Sequence, residues 1–208
     1  MYTVDHSDLH LFDLGYDGIP QAGNSISLGW GIETIFPYEN KLFIGSQNGM
    51  EIYNIENPST PFRLGGYGHF TSCDPVFVKD NYAYVTLRSG TTCNGSTINQ
   101  LDLLDISNIT NPILLESFEM ENPHGLSIDG DNLFLCEGEH GLKVFNIEDP
   151  EKLDRNRLEY LKSIHAVDVI ATPGESNVLM VIGNTGLQQY NYDNPKRLKL
   201  LSTIPVAN

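Results

Sequence analysis

Four ionisable residues recur at near-constant spacing along the chain: Glu33, Asp74, His124 and His165, separated by 41, 50 and 41 residues. Carboxylates and imidazoles brought together can ligate a divalent metal ion or supply a general acid and a general base. Each stands at the start of a short apolar segment: Gly31-Ile-Glu-Thr34, Ser72-Cys-Asp-Pro75, Asn122-Pro-His-Gly125 and Ile164-His-Ala-Val167. A wet channel in which polar groups only satisfy backbone and water would show the same pattern. Asp168 lies three residues beyond His165, and on an alternating strand it falls on the opposite face.

The three cysteines lack Cys-x-x-Cys spacing. Cys73 and Cys93 flank two segments that read as a hairpin turning at Asp80-Asn81, which returns Cys93 to the end where Cys73 starts. They are a disulfide candidate, and two separate reduced thiols are the alternative. Cys136 sits in an apolar run and reads as a buried small hydrophobe. Asp129-Gly130-Asp131 reads as a hairpin turn rather than a calcium loop, because the remaining ligands of such a loop are missing. His6, His10, His69 and His140 read as turn or surface residues. Trp30, Tyr67 and Phe70 lie near unit boundaries, where aromatics wedge between neighbours or stack on a sugar. Neither a Gly-x-Ser-x-Gly elbow nor a Gly-rich phosphate loop is present.

The elements that must position these residues announce themselves as a repeat. A six-residue phrase occurs five times: Leu9-His-Leu-Phe-Asp-Leu14, Met50-Glu-Ile-Tyr-Asn-Ile55, Leu101-Asp-Leu-Leu-Asp-Ile106, Leu142-Lys-Val-Phe-Asn-Ile147 and Leu187-Gln-Gln-Tyr-Asn-Tyr192. Its alternation is that of a strand packed on one face. An Asn-Pro or Asp-Pro turn follows four of the five, at Asn57, Asn111, Asp149 and Asn194. With a short apolar strand ahead of each phrase, another before that, and a fourth behind, each unit has four antiparallel strands. Four short strands per roughly 40–50 residues is the pattern of a β-propeller blade. The expected fold is therefore all-β, a propeller with units at about 1–30 (partial), 31–72, 73–121, 122–163 and 164–208. The first unit enters at its second strand, so the reading counts 19 strands, about 4.75 blades, and favours an excerpt of a larger ring.

The strand Leu142-Lys-Val-Phe-Asn146 and its counterpart Leu101-Asp-Leu-Leu-Asp105, each followed by a proline turn, resemble the defining strand of the LVIVD-repeat family. Tyr82-Ala-Tyr-Val85 resembles that family's Ala-Tyr-Val strand. The resemblance implies a bacterial propeller-like protein, exported or surface-associated, and brings no catalytic motif with it.

Charge narrows the partners. With 27 acidic against 12 basic residues the net charge is −15, which repels a phosphate backbone and argues against nucleic acid. No apolar run reaches the roughly 18 residues of a membrane span. The expected function is a non-catalytic, extracytoplasmic binding module for a protein or a glycan. Two readings stand beside it: a metal-dependent hydrolase or lyase with a divalent ion held by Glu33, Asp74, His124 and His165 in a central channel, and a structural spacer in a larger surface protein.

Overall fold

The computed structural model describes residues 1–29, 31–68, 75–90, 97–172, 174 and 176–206. Among them, nineteen strands form five antiparallel sheets. The first sheet has three strands, β1 (Tyr2–Val4), β2 (Asp8–Leu14) and β3 (Pro20–Ser27). The second runs β4 (Ile32–Tyr38), β5 (Lys41–Ser46), β6 (Gly49–Asn54) and β7 (Phe62–Gly68). The third holds β8 (Val76–Lys79), β9 (Tyr82–Leu87), β10 (Gln100–Asp105) and β11 (Ile113–Glu119). In the fourth are β12 (Leu126–Asp129), β13 (Asn132–Cys136), β14 (Leu142–Asn146) and β15 (Arg157–Leu161), and in the fifth β16 (Asp168–Thr172), β17 (Val178–Gly183), β18 (Gly186–Asn191) and β19 (Lys199–Pro205). Strand order within each sheet follows chain order, and the first strands of successive sheets lie side by side, β4 against β8, β8 against β12, and β12 against β16. This is a β-propeller, with the expected 19 strands and a first blade that lacks its innermost one.

The recurring phrase is the third strand of every blade, and its fifth residue has a structural task. The side-chain oxygens of Asn54, Asp105, Asn146 and Asn191 each accept the backbone N–H two residues on, at 2.7 to 3.2 Å, and so close the turn that ends the strand. The sixth residue ties the turn to the hairpin beside it: the N–H groups of Ile55, Ile106, Ile147 and Tyr192 donate to the carbonyls of Asn40, Asn81, Asp131 and Asn177. In each blade the ladder between third and fourth strands carries an irregularity within the phrase, as between Ile52 and Tyr53 or between Val144 and Phe145. Such bulges increase strand twist, which a propeller blade requires. In the fourth blade the proline turn is extended into a short 3-10 helix, Pro150–Arg155, with Leu153 fully buried.

Both faces of most blades are covered, so β5, β9 and β13 read as continuous apolar runs rather than alternating ones. Phe134, Cys136, Leu142 and Val144 of the fourth blade meet Val169, Ala171, Leu179 and Val181 of the fifth. Phe43, Met50 and Ile52 of the second meet Val76, Val78, Ala83 and Val85 of the third. Each fully buried side chain of this size contributes about 1.5–3 kcal/mol. Cys136 is fully buried, as its apolar setting predicts, and burial pushes its thiol well above the ordinary value. Cys73 and Cys93 lie outside the described residues, and so does their pairing. Tyr67 packs against the cluster joining the second and third blades, which is the wedge reading; Trp30 and Phe70 fall outside the description. Asp129 accepts the Tyr192 hydroxyl at 2.8 Å and Asp131 the Lys79 ammonium at 2.7 Å, so the Asp-Gly-Asp turn tethers neighbouring blades. No helix among the described residues is long and apolar enough to cross a membrane.

Candidate binding site at the channel mouth

The first strands of the blades surround a cavity of about 700 Å³. Ladder register explains its lining. Thr34 pairs with Gly45, Val76 with Val85, Leu126 with Leu135, and Asp168 with Ile182. Referred to the shared phrase, these pairings make Thr34, Pro75, Gly125 and Asp168 equivalent positions, and all four line the cavity. Two residues further along the strands a second ring of positions is Phe36, Phe77, Ser127 and Ile170, again all in the lining. The period of two brings each pair onto the same side of its strand.

The same register places the residues singled out by spacing. Glu33 and His124 are equivalent and stand one residue ahead of the first ring, Glu33 in a bulge between Ile32 and Thr34. Asp74 lies outside the described residues. In the fifth blade the equivalent of His124 is Val167, and His165 lies two residues ahead of it. The discrepancy has a simple origin. The connection between β14 and β15, which carries the 3-10 helix, has ten residues where its counterparts in the second and third blades have seven, so the mouth position of the fifth blade falls at Val167, two residues past the one that constant spacing selects. Alternation does not carry from His165 to Asp168, because β16 starts at Asp168 itself, and this residue lines the channel. Its carboxylate lies against Gly125, where a Cβ would stand 2.0 Å from Oδ1.

At the mouth, His124 is the centre of the polar groups. Its backbone N–H donates to the Cys136 carbonyl at 2.8 Å, and its own carbonyl accepts the Thr86 hydroxyl at 3.0 Å. Arg88, just beyond the end of β9, brings Nη1 to 3.4 Å from His124 Nε2. A guanidinium can only donate, so Nε2 is the acceptor and the ring is neutral. Burial, the Arg88 charge and His165 together push the imidazole down to about 4. Arg88 Nε is buried and has no hydrogen-bond partner among the described residues. Burial raises the Glu33 carboxyl above the ordinary glutamate value, while a hydrogen bond from Gln47 and the charges of Arg88 and His6 pull it back. His165 Nδ1 accepts the Asn184 N–H at 3.2 Å.

A buried ion pair supports the His124 segment from behind. Glu137, fully buried, accepts the Lys143 ammonium at 2.6 Å on one oxygen, and on the other the backbone N–H groups of Asn122 at 2.6 Å and Glu121 at 3.0 Å. Next to it Gly138 has φ of 58°, and a Cβ there would meet Asn122 Nδ2 at 2.8 Å and His124 Nε2 at 2.9 Å. Among the described residues no three His, Cys, Asp or Glu side chains are grouped so as to hold a metal ion. Sequence reasoning missed Arg88 and Glu137, and it set Asp168 aside on the opposite face from His165. For Arg88 the available signal was a lone cation at the head of the one long connection between second and third strands.

The chain carries an LVIVD repeat, matched over residues 72–120. No curated protein matches it. Among solved structures it is similar to a protein of unknown function from Desulfotomaculum acetoxidans (TM-score 0.71, 11% identity, covering 100% of this chain and 66% of that one). It is also similar to a Lactobacillus plantarum protein (0.78, 14%, covering 98% and 68%) and to a periplasmic gluconolactonase from Pseudomonas aeruginosa (0.72, 14%, covering 99% and 66%). At these identities the likeness is one of fold, and the chain spans about two thirds of the length of these proteins.

Proposed function

We propose that this propeller with an LVIVD repeat is a non-catalytic binding module that receives its ligand at the channel mouth and works outside the cytoplasm. The observation that carries the reading is the state of His124. A general base is most effective when its pKa lies near the working pH. An imidazole held down at about 4 beside a guanidinium is neutral but weakly basic, suited to orienting a neighbour rather than to taking a proton. The Thr86 hydroxyl, which donates to the His124 backbone carbonyl, is buried and held by backbone carbonyls, so it is not presented as a nucleophile. The pocket is of the size that holds small ligands, with polar groups gathered at one end and apolar walls beyond. The extracytoplasmic placement is supported by the LVIVD likeness and the periplasmic fold neighbour.

A hydrolytic reading stands second, on the fold shared with the gluconolactonase. A panel of lactones and esters, with and without divalent ions, separates the two when run beside a binding screen of glycans, proteins and small molecules. Saturable binding without turnover supports the module. Turnover that is lost in His124→Gln would overturn it.

A further inference from the structure

The channel has two chemically different parts, and together they select a class of ligand, a selection that rests on reading the channel as a binding site. At the mouth stands a single guanidinium. Among the described residues Arg88 has no carboxylate within ion-pair distance, its Nη1 reaches only the neutral His124 ring, and its buried Nε–H has no acceptor. A buried donor left unsatisfied is costly, and the planar fork of an arginine matches the two oxygens of a carboxylate. Further in, the wall turns to hydrocarbon. Phe36 and Phe77 stand ring to ring at 4.2 Å, and Ile170 is 52% exposed on the same ring of positions. Ser127, the remaining member, accepts the Ala171 N–H on its hydroxyl oxygen.

We propose that the channel binds an organic monocarboxylate, its carboxylate on Arg88 and its hydrocarbon body against Phe36, Phe77 and Ile170. The charge count favours one negative charge over two. Glu33 interacts electrostatically with Arg88, Asp168 lines the same cavity, and the chain as a whole carries −15, so a dianion such as a phosphate monoester meets more repulsion than one cation offsets. Binding sets the carboxylate on the cavity-facing edge of the guanidinium and leaves His124 to steady it by accepting one of its N–H groups. A neutral molecule of the same shape gains the apolar contact alone.

Calorimetric titration tests this with octanoate and 4-phenylbutyrate, compared with octan-1-ol, octylamine and octyl phosphate. The proteins are the native chain, Arg88→Gln and Ile170→Asp, each checked for fold by circular dichroism. The two carboxylates bind one site at least about tenfold more tightly than octan-1-ol, the effect of one charge-assisted hydrogen-bonded pair. In Arg88→Gln that preference shrinks to within about twofold while octan-1-ol is held as before, and Ile170→Asp weakens both carboxylates and octan-1-ol. Equal binding of octanoate and octan-1-ol, or a preference that survives Arg88→Gln, overturns the head-group assignment but leaves the channel a binding site. Tighter binding of octyl phosphate overturns the monoanion class. If no probe binds, the monocarboxylate assignment falls; if a broad fragment set also leaves the channel empty, the binding reading falls with it.

Discussion

The neutral state of His124 at the channel mouth has a measurable cost in acid. Its pKa falls from 6.5 to about 4, through burial first and the Arg88 charge second. The unfolded chain takes up a proton on this ring near pH 6.5, while the folded protein does so only near pH 4. Between those values the unfolded state holds more protons, so stability rises with pH across the window. The contribution is fully present above about pH 6.5 and is lost progressively as the pH falls towards 4. The full displacement corresponds to about 3 kcal/mol; because the ring still meets water at the mouth, screening reduces this to about 1–2 kcal/mol. Urea unfolding of the native protein and His124→Gln at pH 4.5, 5.5, 6.5 and 7.5 isolates it, since every other acid-linked group is common to both. The native protein should lose about 1–2 kcal/mol more than the variant on going from pH 7.5 to 4.5. An NMR titration of the ring gives the direct readout. A His124 resonance titrating near 6.5, or parallel stability profiles, would refute both the electrostatics and the argument that this imidazole is too weak a base for catalysis.

Three further outcomes can be measured. Lys143→Met strands the fully buried Glu137 carboxylate and should cost about 3 kcal/mol or more by urea unfolding, whereas Lys143→Met with Glu137→Gln recovers part of it; equal losses in the single and double variants would show that the pair is not coupled. Gly138→Ala forces a left-handed backbone on a β-carbon that meets Asn122 and His124, so it should lose about 1–3 kcal/mol and shift the His124 resonances, while Gly130→Ala, at φ of 54° with open space around it, loses less and leaves His124 unmoved. If Cys73 and Cys93 are bridged, thiol counting on the denatured, unreduced protein finds one free thiol, and reduction costs about 3 kcal/mol for a loop of about 20 residues; three free thiols exclude the bridge and remove one argument for export.

How far the sequence could be read is clearest at particular residues. The phrase ending in Asn146-Ile147 specifies a strand, an Asx turn and a hydrogen bond back to the neighbouring hairpin, all within reach of local chemistry. Repeated five times, it leaves little room for any fold but a stack of like blades, and strand number came with it. The mouth histidine of the fourth blade was legible for the same reason, as a polar residue at a fixed offset from a repeated strand. His165 and Asp168 were not, because the ten-residue connection between β14 and β15 carries the fifth blade's mouth position on to Val167, past the residue that constant spacing selects.

What the sequence by itself determined, then, is the blade: alternation sets which faces are buried, and Asn, Asp, Gly and Pro set where each strand stops. Only the tertiary structure decided which residues meet at the channel. Arg88 gains its character from a histidine 36 positions away, and Glu137 from backbone N–H groups 15 and 16 positions back, contacts that no local pattern encodes. Burial is the physical reason. It takes ordinary Arg, His and Glu side chains out of water, and what each then does depends on the few groups the stacked blades bring within hydrogen-bonding distance.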